Sequence, residues 1–573
     1  MDVFSSTRRP DQVPDIPISS QHTPSYLTYL LAGLVLISIL TRIFSSRNSH
    51  SKPAGQDGAQ SVPAVPYWLP FLGHLPNMAW DTEGFVKSLR SYYTNGIFAL
   101  NFGGTKHNII CTPGLATAFL NQKPSNADFE QIGMRAMTHV FGFPRKEMPV
   151  FEKAYAELTA QYKHLLTEPS LGEMVRRTTT KMKENILNLV SFATSPVDQM
   201  LWERTSSVQP RTDSNGEQVV EASLLPLIRD FCAHTANPSI MGSNFLAKFP
   251  DFFDDLWTLD RGFLLLAAGI PGWLPVPILT TARIARKRIA DQICVFHEAM
   301  EAEANGQDPG PDWRDLDDVS KLVKERTAVY RKYGLSIRAR AACEEVLMWA
   351  ANANSNALVF WMINRIYSDP ELLASIREEI APYAQAVQPK QEFPIPEPPR
   401  LEAFDLEALC SSCPLLKSCY VECLRLDTAS WSLKVVKQDF VLQSREKDSP
   451  GWLLRRGEYA HAAHDLHNTD SNYFENPMIW KADRHSRYEE GEKKATVNLG
   501  SIRPYGGGLS MCKGRAFAFK ECMAFAAAIV ALWDIEPAGG GQWKMPRHRK
   551  ATGVYGTSDD TRVWIRRRKL PLN

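Results

Sequence analysis

Cys512 is the residue whose neighbours point most directly to chemistry. It lies in Arg503-Pro-Tyr-Gly-Gly-Gly-Leu-Ser-Met-Cys-Lys-Gly-Arg515. Three consecutive glycines disfavour a helix or strand centre and leave a backbone that another group can approach closely. From Lys513 to Trp533 the sequence is apolar and helical in pattern. Cys512 therefore precedes a helix N-terminus, where unpaired N–H groups and the helix dipole stabilise a thiolate. A thiolate in an apolar shell suits a metal that keeps its opposite face open. On this segment alone, a structural cysteine beside a glycine-rich turn is the alternative.

Two other clusters invite metal chemistry and fit it poorly. His461, His464 and His467 recur every third residue. On a helix that spacing drifts by about 60° per step, so the rings do not converge as zinc requires. Cys410, Cys413, Cys419 and Cys423 are interrupted by Pro414 and read better as thiols of a packed core. Glu422-Cys-Leu-Arg425 puts opposite charges at i,i+3 on one helix face, within reach of a bidentate pair. Alone, such a spacing also describes an ordinary surface ion pair. Downstream, in order, follow Lys434, His467, Asn476-Pro477 and Ala482-Asp-Arg484-His485.

Together these segments resemble the cytochrome P450 superfamily. Tyr505, Gly506, Gly508, Cys512 and Gly514 match its cysteine-ligand loop of aromatic, Gly, x, Gly, three residues, Cys, x, Gly. Glu422 and Arg425 resemble its Glu-x-x-Arg helix, and Arg484 the third member of that structural network. Lys434 matches a basic position that binds a haem propionate, and His467 a histidine often found in the strand-to-loop turn. The resemblance implies a mainly helical fold with small β-sheets and haem b held axially by Cys512. A thiolate ligand favours O–O cleavage, the basis of monooxygenation. Electrons would come from NADPH through a membrane-bound flavoprotein reductase, with Lys513 and Lys520 as candidate docking cations or simply solvated charges. The substrate would be a hydrophobic small molecule of sterol, terpenoid, polyketide or alkaloid type, in secondary metabolism.

The departures from that pattern bear on mechanism. Tyr505 replaces the usual Phe, and Ser510 the usual Arg or His two residues before the cysteine. The Trp-x-x-x-Arg propionate motif is absent, and Tyr162, Lys163 or His164 would substitute. Where the family carries an acid–alcohol pair that relays protons, this chain has Ala350-Ala-Asn-Ala-Asn354, with Ala353 at the acid and Asn354 at the alcohol. Asn354 cannot ionise, but its amide can donate a hydrogen bond or hold a water. Trp349-Ala-Ala-Asn-Ala-Asn354 resembles the branch of sterol 7α-hydroxylase and prostacyclin synthase. One member oxygenates; the other rearranges an endoperoxide without a reductase. Monooxygenase is the first expectation, a haem-thiolate isomerase or dehydratase the second, and a membrane-anchored binding protein that has lost haem the third.

The elements that must position these residues are mostly helical. Ser336 is a good N-cap, and no Gly or Pro interrupts the chain until Pro370. That predicts one helix of roughly 48 Å past Asn352, Asn354 and Asn356, beside a polar cavity. Leu171–Phe192 and Thr281–Ala304 are amphipathic. Ile97–Phe102 and His107–Cys111 read as strands, as does a patch within Ser432–Leu454. Thr205–Gln218 and Gln388–Arg400 read as loops. Phe141, Phe143, Met348 and Trp349 are apolar candidates for the pocket.

Length alone, 573 residues, gives a prior of about four domains. The motif order replaces it with a tail (1–25), a membrane anchor (26–44), a Pro-rich linker or hinge (45–76) and one haem domain (77–573). Tyr26–Phe44 contains only Arg42 as a charge and spans roughly 28 Å as a helix. It lacks the short core and small-residue cleavage site of a signal peptide. Arg42, Arg47 and Lys52 outnumber Arg8 and Arg9, favouring a cytosolic body on the endoplasmic reticulum. Ten cysteines show no disulfide spacing, and a net charge of +2 argues against nucleic acid as a partner. Arg566-Arg-Arg-Lys569 reads as a solvated C-terminal edge.

Overall fold

The computed structural model describes residues 26–573 except 55–57, 214, 314, 391–396, 447–448, 488–494, 552 and 572–573. The expected tail, with Arg8 and Arg9, and part of the Pro-rich loop at 388–400 lie outside the described residues.

Helices dominate. An apolar helix, Tyr26–Ser46, stands outside the body with no buried residue; by length and composition it can cross a membrane. Its last turn is tied to the Pro-rich segment, where Ser45 Oγ accepts from the Tyr67 N–H at 3.0 Å and the Arg42 guanidinium lies over the Trp68 ring. That segment is not a free hinge. Gln60–Ser61 pairs in parallel with Trp452–Leu454, Val65 donates to the Ala99 carbonyl at 2.8 Å, and Val62 and Val65 are buried. Prolines remove donors, but the intervening N–H groups still edge a sheet.

A five-stranded sheet lies at one side, in the order Ile97–Phe102, Thr105–Ile110, Tyr459–Ala463, Trp431–Val436, Ala127–Asp128. The strands expected at 97–102, 107–111 and within 432–454 are therefore found. A four-stranded sheet joins Trp533–Pro537, Arg562–Arg567, Gln218–Ser223 and Gln209–Thr212. Its last strand corrects the expected loop at 205–218. It is the edge strand of the sheet, and none of its four residues is buried, which is why its sequence resembles a polar loop. Arg566 pairs with Asp213 and Glu536 across this sheet, so the start of the basic run belongs to the sheet, while Lys569 beyond it is largely exposed.

The expected 48 Å helix is two helices, Ile337–Asn352 and Ser355–Tyr367. Ser336 caps the first as predicted, accepting from the Ala339 N–H. Two side chains account for the break. Ser355 Oγ donates back to the Ala351 carbonyl at 3.2 Å, and Asn354 turns its amide away to another element. Short polar side chains that compete for backbone groups bend helices this way.

Candidate active site

The cysteine segment folds as a turn ahead of the helix Arg515–Leu532. Of the ten cysteines, Cys512 is the exposed one; eight are buried and Cys294 is intermediate. The Cys512 N–H donates to the Tyr505 carbonyl at 3.0 Å, closing the loop. Gly508 has φ +60° and passes so close to the Leu120 carbonyl oxygen that a Cβ would sit 2.3 Å from it. Only glycine satisfies both demands. Gly506 packs beside the Ser432 hydroxyl, and the Tyr505 and Tyr420 hydroxyls are in contact. Ser510 bonds the Gly507 carbonyl.

Lys434 lies behind this loop. It is buried, and its Nζ donates to the Leu120 carbonyl at 2.9 Å and the Phe119 carbonyl at 3.3 Å. An ammonium has three donors, so one remains. Burial lowers its pKa, which an anionic partner would offset. The donor set thus fits a haem: one accessible soft sulfur just ahead of a helix N-terminus, and a buried cation with an unused donor beside it. Tyr162, Lys163 and His164 are not brought there. Tyr162 lies under the Arg326 guanidinium, and His164 bonds Ser170 at 2.9 Å. Lys513 donates to the Leu509 carbonyl, and Lys520 pairs with Glu407.

Asn354 lies at the break just before the helix Ser355–Tyr367, which packs on the cysteine helix. Asn354 Oδ1 accepts from the Val554 N–H at 2.9 Å. A Cβ on Gly553 would lie 2.3 Å from the same oxygen, so this close approach needs glycine. Because Val554 can only donate, Oδ1 must face it, and the two Nδ2 hydrogens face the other way. Ser355 in turn accepts, through its carbonyl, from Cys522 Sγ at 3.6 Å on the cysteine helix. Asn352 and Asn356 are not cavity groups. Asn352 exchanges two hydrogen bonds with Asn237 at 2.8 and 2.9 Å, and Asn356 donates to Asn352 Oδ1.

Above, Trp349 stacks on Phe263 of the helix Phe252–Ala267, with centroids 4.2 Å apart and planes 9° from parallel. Phe141 meets Trp349 edge-on at 5.9 Å. Trp349 Nε1 donates to Asp260 Oδ1 at 2.8 Å. Met348 is fully buried nearby. Phe143 is a correction: it packs on Phe151 at 4.9 Å in a separate cluster. Asp260 and Phe263 were not found by sequence reasoning, since an isolated Asp in an amphipathic helix carries no local signal.

The Glu422 network is fully internal rather than a surface pair. Arg425 donates from Nε and Nη2 to the two Glu422 oxygens at 2.8 and 2.7 Å, and neither side chain has exposed surface. Arg484 Nε adds a bond at 2.9 Å, and His485, absent from the expected network, a contact at 3.0 Å. Burial pushes the Glu422 pKa up, but the hydrogen bonds of Arg425, His485 and Arg484 prevail and hold it at about 2. Its folded value is depressed, so its contribution is present above pH ~4.5 and lost as pH falls toward 2. We expect acid to remove on the order of 3 kcal/mol between those limits. Glu422→Gln should flatten that slope in acid-unfolding curves; an unchanged slope would contradict it.

The three histidines diverge. His461 meets His107 at 2.8 Å, His464 the Ser432 hydroxyl at 2.9 Å, and His467 the Ser501 hydroxyl at 2.8 Å. Cys410, Cys413, Cys419 and Cys423 are all buried, and burial raises the thiols of Cys410, Cys419 and Cys423.

Comparison with known proteins agrees with this geometry. A cytochrome P450 family profile matches residues 63–559. Cytochrome P450 monooxygenase efuG of Hormonema carpetanum is 23% identical over 94% of this chain and 96% of its own. Cytochrome P450 7B1 of Mus musculus is 24% identical over 89% and 88%. The 25-hydroxycholesterol 7-alpha-hydroxylase of Rattus norvegicus is 25% identical over 56% of this chain and 75% of its own. With an accessible cysteine before a helix, a buried Glu-x-x-Arg network and a profile over most of its length, this chain belongs to the cytochrome P450 family and is a haem-dependent monooxygenase.

Proposed function

We propose that the enzyme inserts one oxygen atom of O2 into a C–H bond of a hydrophobic small molecule in secondary metabolism. The second oxygen leaves as water, with two electrons from NADPH delivered by a flavoprotein reductase and two protons from solvent. Haem b, when bound through Cys512, supplies the oxygen activation. In this reading Lys434 holds a propionate and Tyr505, Gly506, Gly508 and Gly514 shape the loop beneath it. Asn354 presents its amide hydrogens to the reacting side in place of a hydroxyl. Glu422, Arg425 and Arg484 are structural. The chain divides as an N-terminal tail, an anchor at 26–44, a linker to 76 and a haem domain from 77, cytosolic on the endoplasmic reticulum. Lys513 offers a charge for the reductase. The observation that carries the reading is the exposed Cys512 of the glycine loop with the buried Lys434 behind that loop.

The test is the carbon monoxide difference spectrum of the reduced protein, followed by turnover with and without NADPH and reductase. A thiolate-haem band and NADPH-dependent product are expected. Turnover that persists without both overturns the monooxygenase reading and selects the isomerase, the option that the missing acid–alcohol pair opens. Asn354→Asp keeps the acceptor for Val554 and removes both amide donors. It should lower turnover roughly 10²-fold, as loss of an oriented donor does, with the carbon monoxide band intact. Unchanged turnover would show that the amide hydrogens play no part.

A further inference from the structure

A C-terminal hairpin, His548–Arg549 with Gly556–Thr557, carries a cation that the chemistry above does not use. The hairpin is firmly held. His548 Nε2 meets Asp427 Oδ1 at 2.9 Å, and Tyr555 stacks on His548 with centroids 4.3 Å apart. The Gly553 carbonyl accepts from the Ala429 N–H at 2.8 Å, and Val554 holds Asn354. Lys550 stands on the outgoing arm of this hairpin. Its ammonium lies 5.1 Å from the centroid of the Trp431 ring. Trp431 precedes Ser432, against which the cysteine loop packs at Gly506.

Among the described residues, no carboxylate comes within 4.0 Å of Lys550. The acids whose fields reach it are Asp465 and Glu83. Both are engaged: Asp465 Oδ1 accepts from Trp431 Nε1 at 2.7 Å and from the Leu466 N–H at 3.0 Å, and Glu83 pairs with Lys87. Lys550 is exposed, and its ammonium stands over the Trp431 ring rather than in a salt bridge. An ammonium above an aromatic floor, with free donors, is stabilised by an anion that brings its own apolar body.

We propose that Lys550 receives the carboxylate of an amphipathic substrate, with Trp431 as the floor, so that oxidation falls on the apolar part near Asn354. This rests on the haem-thiolate reading for the identity of the site, but not on turnover. The probes are dodecanoate, methyl dodecanoate and dodecanol, titrated into the purified holoenzyme at constant ionic strength while the Soret shift is read. Dodecanoate should bind at least about tenfold tighter than the ester or alcohol, the factor expected of one charge-assisted contact. Lys550→Met should abolish that ratio with ester affinity unchanged, and Lys550→Arg should keep most of it. Equal affinity in the wild type, binding of no probe, or a ratio that survives Lys550→Met overturns the assignment. A normal carbon monoxide band without carboxylate preference refutes this proposal alone; absence of the band refutes the reading beneath it.

Discussion

Cys512→Ala is expected to abolish the thiolate-haem carbon monoxide band and all oxygenation while the body stays folded. Cys512 is exposed, and its side chain supports no packing; the loop is closed by its backbone N–H on the Tyr505 carbonyl. Alanine keeps that bond and removes only the sulfur. No neighbouring thiol can replace it, because eight of the other cysteines are buried, and burial raises the pKa of Cys522 and Cys423 well above the ordinary thiol range. Far-ultraviolet circular dichroism and thermal unfolding should therefore change little against the wild-type apoprotein. A variant that retained the band would move the axial ligand elsewhere and remove the basis of the active-site assignment. Gly508→Val makes the contrasting case. It should also lose haem, but through a loop that no longer closes against Leu120.

Arg425→Ala should produce the largest loss of stability. Its guanidinium pairs with Glu422 on its own helix, Pro414–Leu426, and ties that helix to two distant points, the carbonyls of Asn468 and Pro477, each at 2.7 Å. Deleting it leaves a buried carboxylate and two carbonyls short of donors. Breaking a buried pair by removing one member costs about 3–5 kcal/mol. That is a large share of a typical folding free energy of about 5–15 kcal/mol. The expected result is a strongly lowered melting temperature and little recoverable holoprotein. Lys520→Ala, which removes a pair with the mostly exposed Glu407, should cost no more than about 1 kcal/mol. Equal melting temperatures for the two variants would contradict the assignment of Glu422 and Arg425 as the structural hub.

Much of this site could be read along the chain because its parts are local. The cysteine loop depends on residues two to seven apart, and a glycine pattern reports directly on backbone conformation. Glu422 and Arg425 share one helix turn, so their pairing needs no tertiary knowledge. Burial of that pair, and the arrival of His485 from 63 residues away, did need it. The long helix was misread as continuous because its helix-breaking signal is not a Gly or Pro. Asn354 leaves the helical path for a partner 200 residues later.

From sequence alone followed the family pattern, the candidate cysteine ligand, an N-terminal helix long and apolar enough to cross a membrane and the absence of the acid–alcohol pair. Those features are carried by residue type and short spacing. Tertiary structure alone decided the direction of the Asn354 amide, the Asp260–Trp349 roof and the position of Lys550 over Trp431. Each joins elements far apart in the chain, and hydrogen-bond polarity and burial acquire a direction only when those elements meet.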